Sequence, residues 1–368
     1  MRICIDARSL LEKKPSGISL YSVHLIESLL KEFPQDSFVL FTNSFSGQNA
    51  LDRFRHYSHC RIHSTRIPNK LLHAAYSVFR FPSLEKMTGR CDVFFFPNVM
   101  FLPRLPRASV LTVHDISYVQ LPRVYSLRNH LWYRFVRART LIQEAAHIVT
   151  DSQGTQVALD QEFPSIKDRV SVVHPALIAP PEGVQRKKPE YLVVLGDIDE
   201  RKNVYGILSA YERVRKADSE YPQLVFVGKR GYVNLRPATL AIFNRLKKCG
   251  WIKECGYVSE SEKWEIVSRA RALLFVSFYE GFGFPGLEAE SLGIPVIASN
   301  RTCIPEIFGR GPIYVNPDNI NSIVHALRMV KDFPQRMQYD NPLLARTWKG
   351  VAHDMMSLFK NIAYENRN

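Results

Sequence analysis

Two carboxylates eight residues apart, Glu280 and Glu288, bracket the glycine-rich stretch SFYEGFGFPGLE at Ser277–Glu288. The apolar run before it (ALLFVS) reads as a strand, and the residues from Leu287 onward read as a helix. Gly281, Gly283 and Gly286 would let the backbone approach a ligand closely, and a helix N-terminus offers free N–H groups to an anion. Glu280 is therefore expected at a strand end, facing a cleft, and Glu288 in the first turn of the helix. The same spacing also suits a plain strand-to-helix turn, in which a first-turn Glu favours the helix dipole by about 0.3–1 kcal/mol.

A second candidate site is GDIDERKN at Gly196–Asn203, again at a strand end. Arg201 and Lys202 are adjacent cations where a strand gives way to a helix. A diphosphate needs such help, since at ~4 Å and an effective dielectric near 20 each unit charge pair is worth roughly 4 kcal/mol before desolvation. A solvated surface pair is the ordinary alternative. Asp197 and Asp199 spell DxD, a pattern that can hold a metal on a nucleotide diphosphate. Here it runs directly into cations able to neutralise phosphates themselves, so no metal is expected. His114 follows another strand, where an imidazole could bind a substrate, orient a hydroxyl or carry a proton near neutrality.

The elements that must hold these residues alternate as strands and helices almost throughout, which predicts α/β folding with parallel sheets. Arg2–Asp6, Phe38–Thr42, Val93–Phe96, Val110–Val113, His147–Thr150 and Val170–His174 read as strands. Ile18–Phe33, after a loop through Lys13–Gly17, reads as a helix. The aperiodic, Pro-rich and charged run Ala176–Glu190 reads as a linker. The pattern restarts with strands at Tyr191–Leu195, Leu224–Gly228, Leu273–Val276 and Pro295–Ala298 and a helix at Val204–Lys216. The expected division is 1–177, a linker at 178–190, 191–341, and a C-terminal helix within 342–368 that packs toward the N-terminal domain. Two such halves predict a ligand cleft at strand C-terminal ends.

Composition sets outer bounds. With 368 residues, 46% hydrophobic and 23% charged, a disordered or fibrous chain is excluded. The six cysteines form no CxxC pair, which argues against a disulfide framework or zinc spacing. The start MRICIDARSLL lacks a secretory apolar core, and no run is long enough to span a bilayer, so a cytoplasmic protein is expected. The net charge of +14 implies an anionic partner. Residues 51–140 hold 15 Lys and Arg against four acids, a local excess of 11. Arg53, Arg55, Arg61 and Arg66, the run HAAYSVFRF (His73–Phe81), and Arg123, Arg128, Arg134, Arg137 and Arg139 around Trp132 and Tyr133 belong to this block. It suits an anionic membrane face, with the protein peripheral on the inner side of the cytoplasmic membrane, or a solvated face of snorkelling arginines. No nucleic-acid module accompanies it, so no nucleic-acid partner is expected.

The order of these motifs resembles one family over nearly the whole chain. IDARSL…SGISLY (Ile5–Tyr21), FPN (Phe96–Asn98), TVHDISY (Thr112–Tyr118), VTDSQGT (Val149–Thr155), GDIDERKN, VGKRG (Val227–Gly231), CGYVSE (Cys255–Glu260), the Glu280–Glu288 motif and IPVIASNRTCIPEIFG (Ile294–Gly309) resemble retaining glycosyltransferases of family 4. These are the mannosyltransferase-like glycosyl transferases group 1, with the GT-B fold of two Rossmann-like α/β/α domains facing across a cleft. The resemblance implies a nucleotide diphosphate sugar as donor substrate, with no separate cofactor and no metal.

It also implies residue roles. Glu280 would contact the donor sugar's hydroxyls, Glu288 the ribose, and Phe282, Gly283 and Phe284 the sugar and phosphate through backbone N–H groups. Lys202 would hold the diphosphate. Relatives often carry Arg directly after Gly196, where this chain has Asp197, so Arg201 of the RKN run is expected to supply the second charge. Tyr257 and Val258 would meet the base, Gly17 would face the reaction centre, and Asn98, His114 and Asp115 would serve the acceptor side. The RKN run leans toward GDP-mannose as donor and a glycan or lipid-linked glycan as acceptor, in cell-surface polysaccharide or lipopolysaccharide assembly. A UDP- or dTDP-sugar transferase, an epimerase or phosphorylase on the same fold, and an inactive sugar-nucleotide binder are the alternatives.

Overall fold

The apolar runs RICID, VFFF and SVLTV become adjacent strands because nearly every residue in them is buried, as a parallel sheet covered on both faces requires. The structure, a computed structural model, describes residues 1–12, 15–44, 48–67, 83–100, 105–231, 235–334 and 336–366. Lys13, Lys14 and the run His73–Phe81 lie outside the described residues.

The chain forms two compact units. One comprises Met1–Ile116, His130–Ala176 and Arg346–Asn368, the other Ser117–Asn129 and Leu177–Ala345. The first unit's strands are β1 (Arg2–Asp6), β2 (Ser37–Asn43), β3 (Cys60–Thr65), β4 (Val93–Phe96), β5 (Ser109–Val113), β6 (His147–Thr150) and β7 (Val170–Val172). They form a seven-stranded sheet in the order β3-β2-β1-β4-β5-β6-β7, with every pair parallel. In the second unit are β8 (Tyr191–Leu195), β9 (Leu224–Val227), β10 (Ile252–Glu254), β11 (Ala270–Phe275), β12 (Val296–Ser299) and β13 (Ile313–Val315). Their six-stranded parallel sheet has the order β10-β9-β8-β11-β12-β13. The winding direction therefore reverses between β1 and β4, and again between β8 and β11. Such switch points open a crevice at the strand C-terminal ends, where ligands of α/β sheets bind.

Six helices carry the argument: α1 (Gly17–Glu32), α2 (Leu127–Val136), α3 (Val204–Ala217), α4 (Glu260–Ser268), α5 (Phe284–Ser291) and α6 (Trp348–Glu365). Strand alternation sorts their packing. Leu192 and Val194 of β8 pack in one core with Ile207, Leu208 and Tyr211 of α3. Val193 and Leu195 point the other way and pack in a core with Trp264 of α4 and Leu287 of α5.

The C-terminal helix packs against α1, as the apolar spacing of the tail predicts. Val351, Met355, Met356, Phe359 and Ile362 of α6 share one core with Tyr21, Leu25 and Leu29 of α1 and with Ile3 and Ile5 of β1. The Phe359 and Phe95 rings lie 5.3 Å apart. Each such side chain contributes roughly 1.5–3 kcal/mol of burial, so the tail is part of this unit's core. Among the described residues no helix is long and apolar enough to cross a membrane.

Candidate functional site

The second unit's switch point gathers the cationic and acidic motifs. β8 ends at Gly196 (φ +108°) and β9 at Gly228 (φ +148°), where a Cβ would stand 2.0 Å from the Gly196 carbonyl oxygen. Only glycine lets the two strand ends approach this closely. The chain then turns through Glu200–Lys202, capped by Asp199, whose Oδ1 accepts the Lys202 N–H at 3.2 Å. Asn203 starts α3 by accepting the Gly206 N–H. One aspartate of the DxD run is thus a helix cap.

This turn brings Arg201 and Lys202 to Glu280. Lys202 Nζ donates to Glu280 Oε1 at 2.5 Å, and Arg201 Nη1 donates to Oε2 at 3.1 Å and to the Tyr279 carbonyl at 3.0 Å. The backbones are tied as well, with Phe278 N–H donating to the Arg201 carbonyl at 2.9 Å. Lys202 and Glu280 are each only 8% exposed. Burial opposes ionisation of Glu280, but the Lys202 and Arg201 charges and the hydrogen bond from Lys202 outweigh it, holding the carboxyl below its usual range. Asp197 and Asp199 share this field: burial pushes both carboxyls up, and Arg201 and Lys202 oppose the shift.

Glu280 is gripped at its backbone too. Its N–H donates to Thr302 Oγ1 at 3.3 Å, and its carbonyl accepts the Cys303 thiol at 3.1 Å. The same thiol reaches the Phe282 carbonyl at 3.2 Å. Thr302 adopts φ +54°, a left-handed conformation that costs a β-branched residue on the order of 1–3 kcal/mol. IPVIASNRTCIPEIFG contains both residues, but no pattern in the sequence marks either as a partner of Glu280.

The glycine loop differs from the sequence expectation at one point. Gly283 (φ +129°) caps α5, which begins at Phe284 and not near Leu287. Pro285 fits the first turn of a helix, where an N–H has no partner in any case, and this sets the earlier start. Glu288 is consequently the fifth residue of the helix, beyond the first turn, and the helix-dipole explanation for it falls away. It is buried, 4% exposed, and Oε1 accepts Lys263 Nζ at 2.6 Å. Burial drives the Glu288 carboxyl above its usual range, with Lys263 opposing the shift. Lys263 lies on α4, which a Ser259–Glu262 capping box starts directly after Tyr257 and Val258. No sequence motif points to it.

The remaining predicted residues lie in the first unit. Gly17 opens α1, capped by Ser16. Asn98 follows β4, and His114 and Asp115 follow β5. His114 Nδ1 is 2.6 Å from Asp151 Oδ2, and Nε2 is 2.8 Å from the Pro97 carbonyl oxygen. A carbonyl only accepts hydrogen bonds, so Nε2 donates to Pro97, and Asp151 favours a proton on Nδ1 as well. Burial disfavours the charge, but Asp151 and the Pro97 carbonyl outweigh it and raise the pKa above its ordinary value. The edge of the ring packs on Tyr21 with centroids 5.0 Å apart. Asp151 sits inside VTDSQGT, yet its partnership with a residue 37 positions away is visible only in the fold.

Residues 179–340 match the family Glycosyl transferases group 1. The chain is 31% identical over 252 residues to O-antigen chain mannosyltransferase B of Escherichia coli, an alignment covering 64% of each chain. It is 25% identical over 243 residues to O-antigen chain mannosyltransferase RfbU of Salmonella typhimurium, covering 66% of each. The chain thus spans just under two thirds of the length of these curated relatives. In fold it is similar to Anabaena HepE in complex with UDP-glucose, with a TM-score of 0.62 at 14% identity over 100% of this chain and 99% of that one. Two parallel sheets, each with its own switch point, are the GT-B architecture, and within it residues 179–340 match the glycosyl transferases group 1.

Proposed function

We propose that this chain is a retaining glycosyltransferase that moves a hexose from a nucleotide sugar to a glycan or lipid-linked glycan in cell-surface polysaccharide or lipopolysaccharide assembly. The donor in this reading is GDP-mannose. The observation that carries it is the contact of Lys202 and Arg201 with one buried carboxylate, Glu280, at the switch point. The names of both O-antigen relatives support mannose. The UDP-glucose complex of HepE makes a uridine donor the second reading to test.

The bond from the sugar's anomeric carbon to the β-phosphate oxygen breaks, and its electron pair leaves with the nucleoside diphosphate. The acceptor hydroxyl oxygen bonds to the anomeric carbon on the same face, and its proton passes to the departing phosphate oxygen. The largest demand is stabilisation of the diphosphate's charge. Lys202 has three N–H groups and uses one on Glu280, leaving two for phosphate oxygens. Arg201, Gly196 and the backbone of Phe282, Gly283 and Phe284 complete that role, without a metal. Glu280, kept ionised, orients the sugar hydroxyls and faces the positive charge that develops at the anomeric carbon. Glu288 takes the ribose, and Tyr257 and Val258 take the base. Gly17, Asn98, His114 and Asp115 are assigned to the sugar and acceptor.

The basic block is assigned to an anionic membrane surface at the cytoplasmic face. On α2, Leu127, Leu131, Trp132 and Phe135 are all exposed, and their spacing places them on one helix face. Arg128 and Arg134 are exposed beside them, whereas Arg55, Arg137 and Arg139 pair with Asp52, Glu144 and Glu162. Aromatic and aliphatic side chains flanked by exposed arginines match the chemistry of an interfacial helix.

The test is a panel of GDP-mannose, UDP-glucose and dTDP-glucose, scored for thermal stabilisation and for turnover with a lipid-linked acceptor extract. GDP-mannose is expected to stabilise and to be consumed. Stabilisation by UDP-glucose alone would replace the donor, and no response to any of them would overturn the transferase reading.

A further inference from the structure

Lys263 is a cation that no motif announces, and it stands in the donor-side unit with its side chain only 15% exposed. Its Nζ donates to Glu288 Oε1 at 2.6 Å and lies 2.8 Å from Glu260 Oε2. Glu288 Oε2 takes no hydrogen bond among the described residues. The carboxylate is thus fixed at one oxygen, while the other remains able to accept. Lys263 also stands five residues beyond Val258, at the start of a well-capped helix, so it links the segment after β10 to the helix bearing Glu288.

We propose that Lys263 is a positioning residue for donor recognition: its ammonium fixes the Glu288 carboxylate through Oε1, so that Oε2 accepts from the vicinal hydroxyls of the donor's ribose. This rests on the reading of Glu288 as the ribose residue. A carboxylate accepts from two hydroxyls, whereas a protonated carboxyl spends one oxygen as a donor. The charged groups acting on Glu288 are Lys263 and Glu260, both from α4. Burial and Glu260 push Glu288 toward its neutral form, and Lys263 opposes them. Removing the ammonium therefore raises the Glu288 pKa further and favours the neutral carboxyl. The Lys263 ammonium is itself strengthened, because Glu288 and Glu260 outweigh its burial, so it stays charged across the working range.

The experiment compares GDP with 2′-deoxy-GDP by calorimetry on the full chain between pH 6.5 and 9 (UDP and 2′-deoxy-UDP if uridine is preferred). A site built to hydrogen-bond a hydroxyl discriminates against the analogue lacking it. Wild type is expected to prefer the ribonucleotide by about 10-fold or more. Lys263→Met should weaken that preference, least at the alkaline end of the range, while Lys263→Arg keeps it throughout. Glu288→Gln should lose it at every pH. If Lys263→Met keeps the preference at pH 7 while Glu288→Gln loses it, the role given to Lys263 is wrong and that of Glu288 stands. If Glu288→Gln keeps it, the ribose reading itself fails. Lys263→Gln, neutral but still a donor, supplies the same readout should the Met variant not fold.

Discussion

The Lys202 ammonium lies 2.5 Å from Glu280 Oε1 across 78 residues of sequence, and the adjacent Arg201 holds the other carboxylate oxygen. A buried carboxylate between two cations is a fixed, ionised group, and the Lys202 ammonium retains N–H groups for a second anion. The pair couples the loop after β8 to the loop after β11, the two strands that flank the switch point.

Replacing Lys202 by Ala removes half of that clamp. The kcat/KM for the nucleotide sugar is expected to fall about 100-fold, the scale of losing one pre-aligned charge stabiliser. Fold stability should fall by roughly 3–5 kcal/mol as a buried carboxylate loses its partner. In wild type the Glu280 pKa is depressed, so its contribution is present above the ordinary carboxylate range and is lost as pH falls through the folded value. Urea melts between pH 3 and 7 check the sign: the gap between the two proteins should narrow in acid.

Asp151→Asn tests what raises the His114 pKa. His114 titrates above its ordinary value because Asp151 and Pro97 outweigh burial, so the stability it supplies is full below about pH 6.5 and is lost as pH rises through the folded pKa. The variant's His114 is expected to titrate lower in histidine NMR, since burial is then less opposed. Its melting temperature should fall most against wild type at pH 6 and least at pH 9. An unchanged titration would mean that Asp151 does not set the protonation state.

Thr302 separates a hydroxyl from a shape. Thr302→Val keeps the branched side chain and removes the acceptor of the Glu280 N–H, while Thr302→Ser keeps the acceptor. The valine variant should lose about 10-fold or more in kcat, as small misplacements of a reacting group do. Donor affinity should change little, and serine should restore the rate. Equal rates in all three proteins would reduce the left-handed Thr302 to a feature of the turn alone.

The exposed face of α2 is separable from folding. Changing Leu131, Trp132 and Phe135 together to Gln should leave the melting temperature near wild type, because all three are exposed. Cosedimentation with vesicles containing phosphatidylglycerol should drop by about 10-fold, given the apolar area and charge such a face contributes. Binding of wild type should weaken with salt. Undiminished binding by the triple variant would move the contact elsewhere in the basic block.

Much of this protein is legible in one dimension, and what is missed has a pattern. The inner strands read directly as continuous apolar runs because both of their faces are buried. The three strands absent from the sequence reading, β3, β10 and β13, are all sheet edges, short or half polar, where one side lacks a neighbour. α6 was readable from spacing alone, since its apolar stripe recurs with the helical period. The motif glutamates and the Arg201–Lys202 pair were likewise visible, because chemistry and local turns share a short stretch of chain. Their partners were not: Lys263 for Glu288, Asp151 for His114, and Thr302 and Cys303 for the Glu280 backbone come from 22 to 37 residues away. By itself the sequence determined which residues carry charge at strand ends. Tertiary structure alone decided which charges neutralise one another, because that depends on distance and burial, and parallel strands bring distant loops together only through crossovers.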